Sequence, residues 1–198
     1  MGYMIFKRAF DFTASLIAAI LLSPVMLIVA VVIRATSPGP AVFKQVRAGI
    51  NGKNFTIYKF RTMYVSAPRN VATHQLAGAQ SFITPVGKFL RKSSLDELPQ
   101  LFNIIKGDMA IVGPRPALPT QVDLLAEREK YGANSVRPGL TGWAQINGRD
   151  ELPIDVKARL DGEYIERMGL MFDIRCIFGT VGAVFSASGV QEGKQEKK

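Results

Sequence analysis

The sequence predicts an α+β fold, mainly helical, and three patterns carry that expectation. A 22-residue uncharged run lies near the N-terminus, from Phe12 to Ile33. Two short alternating runs flank an Asn-Gly pair at Asn51-Gly52. Beyond them, helical periods alternate with turns rich in proline and glycine. At 198 residues the chain is one domain's worth, long enough to bury a modest core.

The uncharged run comes first. As a helix it rises about 33 Å, close to one hydrocarbon thickness. A signal peptide fits poorly, because its apolar region is normally about 7–15 residues and a small-residue cleavage site follows. Ser23-Pro24 stands at the centre of the run. Proline there removes a backbone hydrogen bond and clashes with the preceding turn, so the helix kinks. Lys7 and Arg8 precede the run; Arg34, Lys44, Arg47, Lys53, Lys59 and Arg61 follow it with no acid among them. The positive-inside rule then asks both ends to face the cytoplasm. These residues leave two readings open, a re-entrant helix broken at Ser23-Pro24 and a kinked span.

Ser37-Pro38-Gly39-Pro40 is a turn, and AVFKQVR and FTIYKF around Asn51-Gly52 read as a small β-hairpin. Residues 64–82 lack a period and read as loop. Thr84 to Ile105 turns helical, with a break expected at Pro99. Gly107–Pro119 reads as irregular, Gln121–Tyr131 as helix, and Arg137–Asp150 as a Gly/Pro-punctuated loop. Helix dominates from Ile154 to Ala187, and its stretch Leu170–Phe185 is apolar enough to be core or an amphipathic helix at the membrane interface. The tail QEGKQEKK has a disordered composition. Three regions result: a membrane helix over 1–35, a catalytic domain over 36–187, and a tail over 188–198.

Composition removes several chemistries. Cys176 is the single cysteine and His74 the single histidine, so neither a disulfide framework nor a Cys/His metal cluster exists within one chain. His74 sits in a polar stretch that reads as a solvated loop. Neither G-x-x-x-x-G-K-[ST] nor G-x-G-x-x-G is present, which removes most support for ATPase, kinase and dinucleotide readings. The net charge of +9 suits nucleic acid, an anionic membrane face or phosphate substrates. The apolar run favours the membrane over nucleic acid.

Between Asp11 and Asp96 lie 84 residues with ten Lys/Arg and no carboxylate. Asp96-Glu97 ends that silence just after Arg91 and Lys92, whose charge is expected to keep the pair ionised. Adjacent carboxylates in a basic field suit magnesium, and an ionised aspartate can attack phosphorus. Asp96 also reads as the cap of a helix opening at Glu97-Leu98-Pro99, and spacing alone leaves both readings standing. Arg115, held between Pro114 and Pro116, suits a bidentate phosphate clamp or a surface loop. Lys59 and Arg61 flank Phe60 and share a strand face, ready for a diphosphate or for lipid. Arg137 and Arg149 bracket a rigid loop holding Trp143, and both are candidate substrate ligands; Trp143 reads as structural or as a nucleotide or sugar contact.

KRAFD at Lys7–Asp11, the Ser-Pro in the apolar run, YKFRTM, LRKSSLDELPQLFNIIKGDMAIVGPRP and RPGLTGWAQINGR occur in order from about residue 7 to 175. Together they resemble the bacterial sugar transferases, small monotopic phosphoglycosyl transferases of glycan assembly, in their minimal catalytic form. The resemblance implies that Asp96 attacks the β-phosphate of a UDP-sugar, releases UMP and holds the phosphosugar. Polyprenyl phosphate then takes it up. It implies that Glu97 and Mg2+ assist, with Asp96 and Glu97 as metal ligands, and that Arg115 binds phosphate. It also implies that the break at Ser23-Pro24 makes the helix re-entrant and places the enzyme on the cytoplasmic face of the bacterial inner membrane. The implied partners are UDP-sugar, polyprenyl phosphate and membrane lipid, with no nucleic acid and with room for a homodimer. A membrane-tethered basic binding protein and an anchored phosphohydrolase are the rivals.

Overall fold

The computed structural model describes residues 2–68, 78–148 and 152–185. Over these the protein is mainly helical with a small antiparallel hairpin. Two helices, α1 (Gly2–Leu21) and α2 (Ser23–Thr36), meet at Leu22 with a bend of 60°. The chemistry of the bend is local. Pro24 falls in the first turn of α2, where a missing N–H is tolerated. The carbonyl of Ile20, four residues before the proline, instead accepts from the Ser23 hydroxyl at 2.8 Å. Among the described residues no single helix is long and apolar enough to cross a membrane, and only the bent pair passes together. Ile5, Ile17, Ile20, Leu21, Leu27 and Ile28 are each more than half exposed, so the outer side of the pair is greasy.

The inner side of α1 is a polar stripe at helical spacing, Lys7, Asp11 and Ser15, followed by Ala19. Lys7 Nζ lies 2.6 Å from Asp173 Oδ2 and 3.7 Å from Asp11. Asp173 also accepts from Tyr3 at 2.7 Å and from Tyr164 at 2.8 Å. Arg8 donates to the carbonyls of Ile104 and Ile105, at the C-terminal end of the helix Gln100–Lys106 (α5). There a cation meets both orphan carbonyls and the negative end of the helix dipole. The KRAFD motif therefore fastens the bent pair to the rest of the protein.

The hairpin pairs β1 (Val42–Ala48) with β2 (Asn54–Phe60) in register from Val42↔Phe60 to Ala48↔Asn54. Its turn places Asn51 (φ 53°) and Gly52 (φ 71°) in the left-handed region that these residue types tolerate. Fully buried Asn103 on α5 accepts from the Tyr58 amide at 3.0 Å and donates to the Thr56 carbonyl at 2.7 Å. It thus locks α5 to the edge of β2.

Several elements depart from the sequence expectation. A four-residue helix, α3 (Ala79–Phe82), forms within the stretch expected as loop, and α4 runs over Pro85–Lys92. The helical break falls at Ser93-Ser94 rather than at Pro99. Ser94 takes φ 57°, a 3-10 turn covers Leu95–Glu97, and Pro99 is the residue before α5. Gly107–Pro119 and Arg137–Asp150 each contribute a short strand, β3 (Ala110–Val112) and β4 (Gly139–Thr141), paired in parallel. Gly139 makes that pairing possible, since a Cβ there would stand 2.1 Å from the Gly113 nitrogen. Helices α6 (Val122–Glu129), α7 (Trp143–Ile146), α8 (Ile154–Arg167) and α9 (Leu170–Phe185) complete the fold. Helix α9 has a core side and an exposed apolar side. Phe172 and Cys176 are buried in the core, while Leu170, Met171, Phe178 and Val181 are exposed on the other side. His74, Arg149 and the expected tail lie outside the described residues.

Candidate active site

Asp96 and Glu97 sit in the 3-10 turn between α4 and α5, on the wall of a cavity of about 800 Å3. Asp96 does not cap a helix: α5 begins after Pro99 with no side-chain cap. The turn is entered through Ser94 in a conformation that L residues rarely hold, which is strain stored beside the acidic pair.

The two carboxylates have different surroundings. Glu97 Oε1 takes Lys59 Nζ at 2.7 Å and Arg115 Nη2 at 3.2 Å. Burial works to raise the Glu97 carboxyl, but Lys59 and then Arg115 outweigh it and hold it well below the usual carboxylate range. Asp96 is 9% exposed, and among the described residues no side chain pairs with it within 4.0 Å. Burial pushes the Asp96 carboxyl up, with the field of Lys59 offsetting part of the effect. Burial sets the direction at Asp96, and the cations set it at Glu97. The cations close on Glu97, and among the described residues Asp96 is left without a side-chain ion pair.

Arg115 is held from behind. Its carbonyl accepts from Arg128 Nη1 at 3.0 Å, and the next carbonyl, that of Pro116, accepts from Arg47 at 3.0 Å. Arg128 is itself fixed by a buried pair with Asp161 on α8, at 2.7 Å. The proline-flanked loop is thus clamped at two successive carbonyls. On the opposite wall Arg91 Nε donates to the Thr62 hydroxyl at 2.9 Å. Gly87 permits that approach, since a Cβ would lie 2.0 Å from the Thr62 carbonyl oxygen.

Lys59, Arg61 and Arg115 all line the cavity with the acidic pair, as do Lys44, Arg47 and Arg91. Six cations against two acids make a wall suited to a diphosphate. Arg61 differs from the expected phosphate grip in its present contacts: its guanidinium holds the carbonyls of Ser37 and Pro38 and the Ser37 hydroxyl. It ties the end of the hairpin to the turn after α2. Arg137 is not brought to the cavity; its Nε donates to the Gly107 carbonyl at 2.8 Å. Trp143 is structural, donating to Glu163 at 2.8 Å with its ring 4.9 Å from Phe172. Sequence reasoning named Arg91 only for its charge and Arg47 only for the positive-inside pattern, and it missed Arg128 and Asp161. Nothing local marks Arg128 or Asp161 as parts of the site.

A family model described as bacterial sugar transferase matches residues 2–187. The chain belongs to the bacterial sugar transferase family. It is 40% identical over 189 residues to the uncharacterized sugar transferase EpsL of Bacillus subtilis (strain 168), covering 96% of this chain and 92% of that protein. It is 41% identical to an undecaprenyl-phosphate glucose phosphotransferase of Komagataeibacter xylinus, over 90% of this chain and 35% of that protein. A UDP-N-acetylgalactosamine-undecaprenyl-phosphate N-acetylgalactosaminephosphotransferase of Aeromonas hydrophila is 38% identical, over 96% of this chain and 46% of that protein. The chain thus spans less than half the length of these last two relatives.

Among the described residues no group of three or more His, Cys, Asp or Glu is placed to hold a metal ion. Two adjacent carboxylates, one of them with no ion-pair partner among the described residues, beside a cationic wall fit magnesium, which keeps waters and shares phosphate oxygens with one or two carboxylates.

Proposed function

We propose that this protein transfers a sugar 1-phosphate from a UDP-sugar to polyprenyl phosphate through a covalent aspartyl intermediate. The observation that carries the reading is the division of labour in the acidic pair. Glu97 holds the cations Lys59 and Arg115, and Asp96 lines the cavity with no ion-pair partner among the described residues. The names of the relatives support the overall reaction class.

In the first step an Asp96 carboxylate oxygen forms a bond to the sugar-bearing phosphorus. The anhydride bond breaks, and its electron pair leaves on the phosphate of UMP. Lys59 and Arg115, aligned by Glu97, meet the charge on the phosphoryl oxygens. In the second step a phosphate oxygen of the polyprenyl phosphate attacks the same phosphorus and returns Asp96 as a free carboxylate. Phosphoryl transfer depends chiefly on alignment and charge neutralisation, and this wall supplies both. Magnesium held by Asp96 and Glu97 would add charge compensation on the diphosphate.

The bent helix pair is proposed to be re-entrant, with both ends on the cytoplasmic side of the bacterial inner membrane. The exposed apolar outer side and the Ser23-Pro24 elbow support this placement. A panel of UDP-sugars, assayed for UMP release with and without undecaprenyl phosphate, tests the reaction. Polyprenyl-linked product with one sugar is expected, and free sugar phosphate in its place would establish a hydrolase.

A further inference from the structure

The cavity beside the acidic pair continues well past the cations. Away from Lys59, Arg91 and Arg115 its lining becomes apolar: Ala18 and Leu22 at the elbow of the bent pair, Leu101 on α5, Leu140 on β4, and Ile177 and Val181 on α9. The diphosphate of a nucleotide sugar engages the cations and leaves this wing unused. The polar side chains along it are mostly occupied with one another. The Thr141 and Thr180 hydroxyls are paired, Thr180 donates to the Cys176 carbonyl, and Gln145 Nε2 donates to the Leu140 carbonyl. Gln145 Oε1 has no partner, but it is buried within the protein rather than open to the cavity.

We infer that this wing, between the Ala18–Leu22 elbow and the Ile177–Val181 face of α9, is the seat of the first isoprene units of the lipid acceptor, whose phosphate lies at Asp96. The inference rests on the transfer reading above and adds where the acceptor lies. Three observations fix the occupant. The wing is continuous with the cationic wall, so one molecule with an anionic head and an apolar tail fills both ends. One side of it is the elbow of the bent pair, whose outer residues Ile20 and Leu21 are exposed and apolar, so on the re-entrant placement proposed above the wing leads from the cations towards lipid chains. Val181 is 49% exposed and Phe178, three residues earlier on the same helix, is 72% exposed, so the wing opens onto an apolar outer face. A second, water-soluble substrate would meet polar groups there that are already engaged with the protein, whereas a hydrocarbon gains burial. The arrangement also separates the substrates, with the nucleotide sugar at the cationic end and the prenyl chain at the apolar end.

Two measurements test the assignment on the full-length protein in nanodiscs. In the first, a prenyl phosphate with a diazirine on its first isoprene unit is photolysed with the wild-type protein, and labelled peptides are mapped. Labels at residues 140–146 and 177–181 or at the elbow are expected, and undecaprenyl phosphate should compete them away. Labels confined to the outward residues of the bent pair, such as Ile5, Ile17 or Ile28, would overturn the assignment. In the second, Ile177→Trp and Val181→Trp narrow the wing while keeping its surface apolar. The KM for undecaprenyl phosphate should rise about tenfold, the weight of roughly one lost side chain of apolar burial. Over the same variants the UMP released from UDP-sugar alone should keep its amplitude. An unchanged KM overturns the assignment, and so does a loss of the donor half-reaction alone. Wild-type protein that releases no UMP from any UDP-sugar refutes the transfer reading instead; the photolabelling needs no donor and still decides where the lipid sits.

Discussion

Arg128→Met removes the cation that holds two parts of the site together. In the native protein its guanidinium pairs with Asp161 at 2.7 Å, with both side chains at most 4% exposed, and donates to the Arg115 carbonyl at 3.0 Å. Taking away one member of a buried pair strands the other, at a cost of about 3–5 kcal/mol. The lost bond to the Arg115 carbonyl adds about 1 kcal/mol. Lys157, one turn from Asp161 on α8, contributes a weaker favourable field and trims the total. A loss of about 3–5 kcal/mol is a large part of the stability of a domain this size. The double variant Arg128→Met/Asp161→Leu discards both charges together and should recover most of that loss, because an apolar replacement of a buried pair is nearly neutral. Turnover should not recover, since the Arg115 loop still lacks one of its two clamps. Denaturant unfolding of the purified protein gives the stabilities, and UMP release gives the activity. A single variant within about 1 kcal/mol of wild type would refute the reasoning. A double variant as unstable as the single one would do the same.

Other outcomes follow from the same contacts. Arg115→Ala should slow UMP release by about 2–4 kcal/mol of barrier in single-turnover kinetics, because a charge-assisted phosphate contact is lost; an unchanged rate removes Arg115 from the site. Replacing Ser23 with leucine and Pro24 with alanine should straighten the bend, and cysteine labelling at residues 2 and 52 in sealed vesicles should move from the same side to opposite sides. Labelling on opposite sides in the wild type would instead establish a span. Gly139→Ala should destabilise the protein by about 1–3 kcal/mol or more in the same unfolding assay, because its Cβ has nowhere to go beside the Gly113 nitrogen. Wild-type stability there would contradict the close approach of β3 and β4.

Local chemistry was legible in the sequence. The Ser-Pro elbow, the Asn-Gly hairpin and the periodicity of α6, α8 and α9 depend on neighbours within a few residues, and each stands where the pattern puts it. The parallel pair β3–β4 was not legible. Each strand is three residues long, too short to show an alternation, and its partner lies 29 residues away at Ala110↔Gly139. The break before Asp96 went to Ser94 because the structure places a serine in a glycine-like conformation, a strain that sequence does not advertise. At the site, the acidic pair and Arg115 stood out by charge pattern, and they do share one cavity with Lys59. The different surroundings of Asp96 and Glu97 were hidden, because Lys59 arrives from a strand 38 residues away and Arg115 from a loop 18 residues away. Arg128 and Asp161 were invisible for the same reason: their roles exist only once α6 lies on α8.

The covalent role of Asp96 is the centre of this account, and intact-protein mass spectrometry of the first half-reaction tests it most directly. Protein mixed with UDP-sugar and magnesium, without lipid acceptor, should release about one equivalent of UMP and gain the mass of one phosphosugar. Peptide mapping should place that mass on Asp96, added undecaprenyl phosphate should discharge it, and Asp96→Asn should show neither UMP nor adduct while remaining folded. If UMP appears only after undecaprenyl phosphate is added and no adduct is trapped, transfer is direct and Asp96 is not the nucleophile.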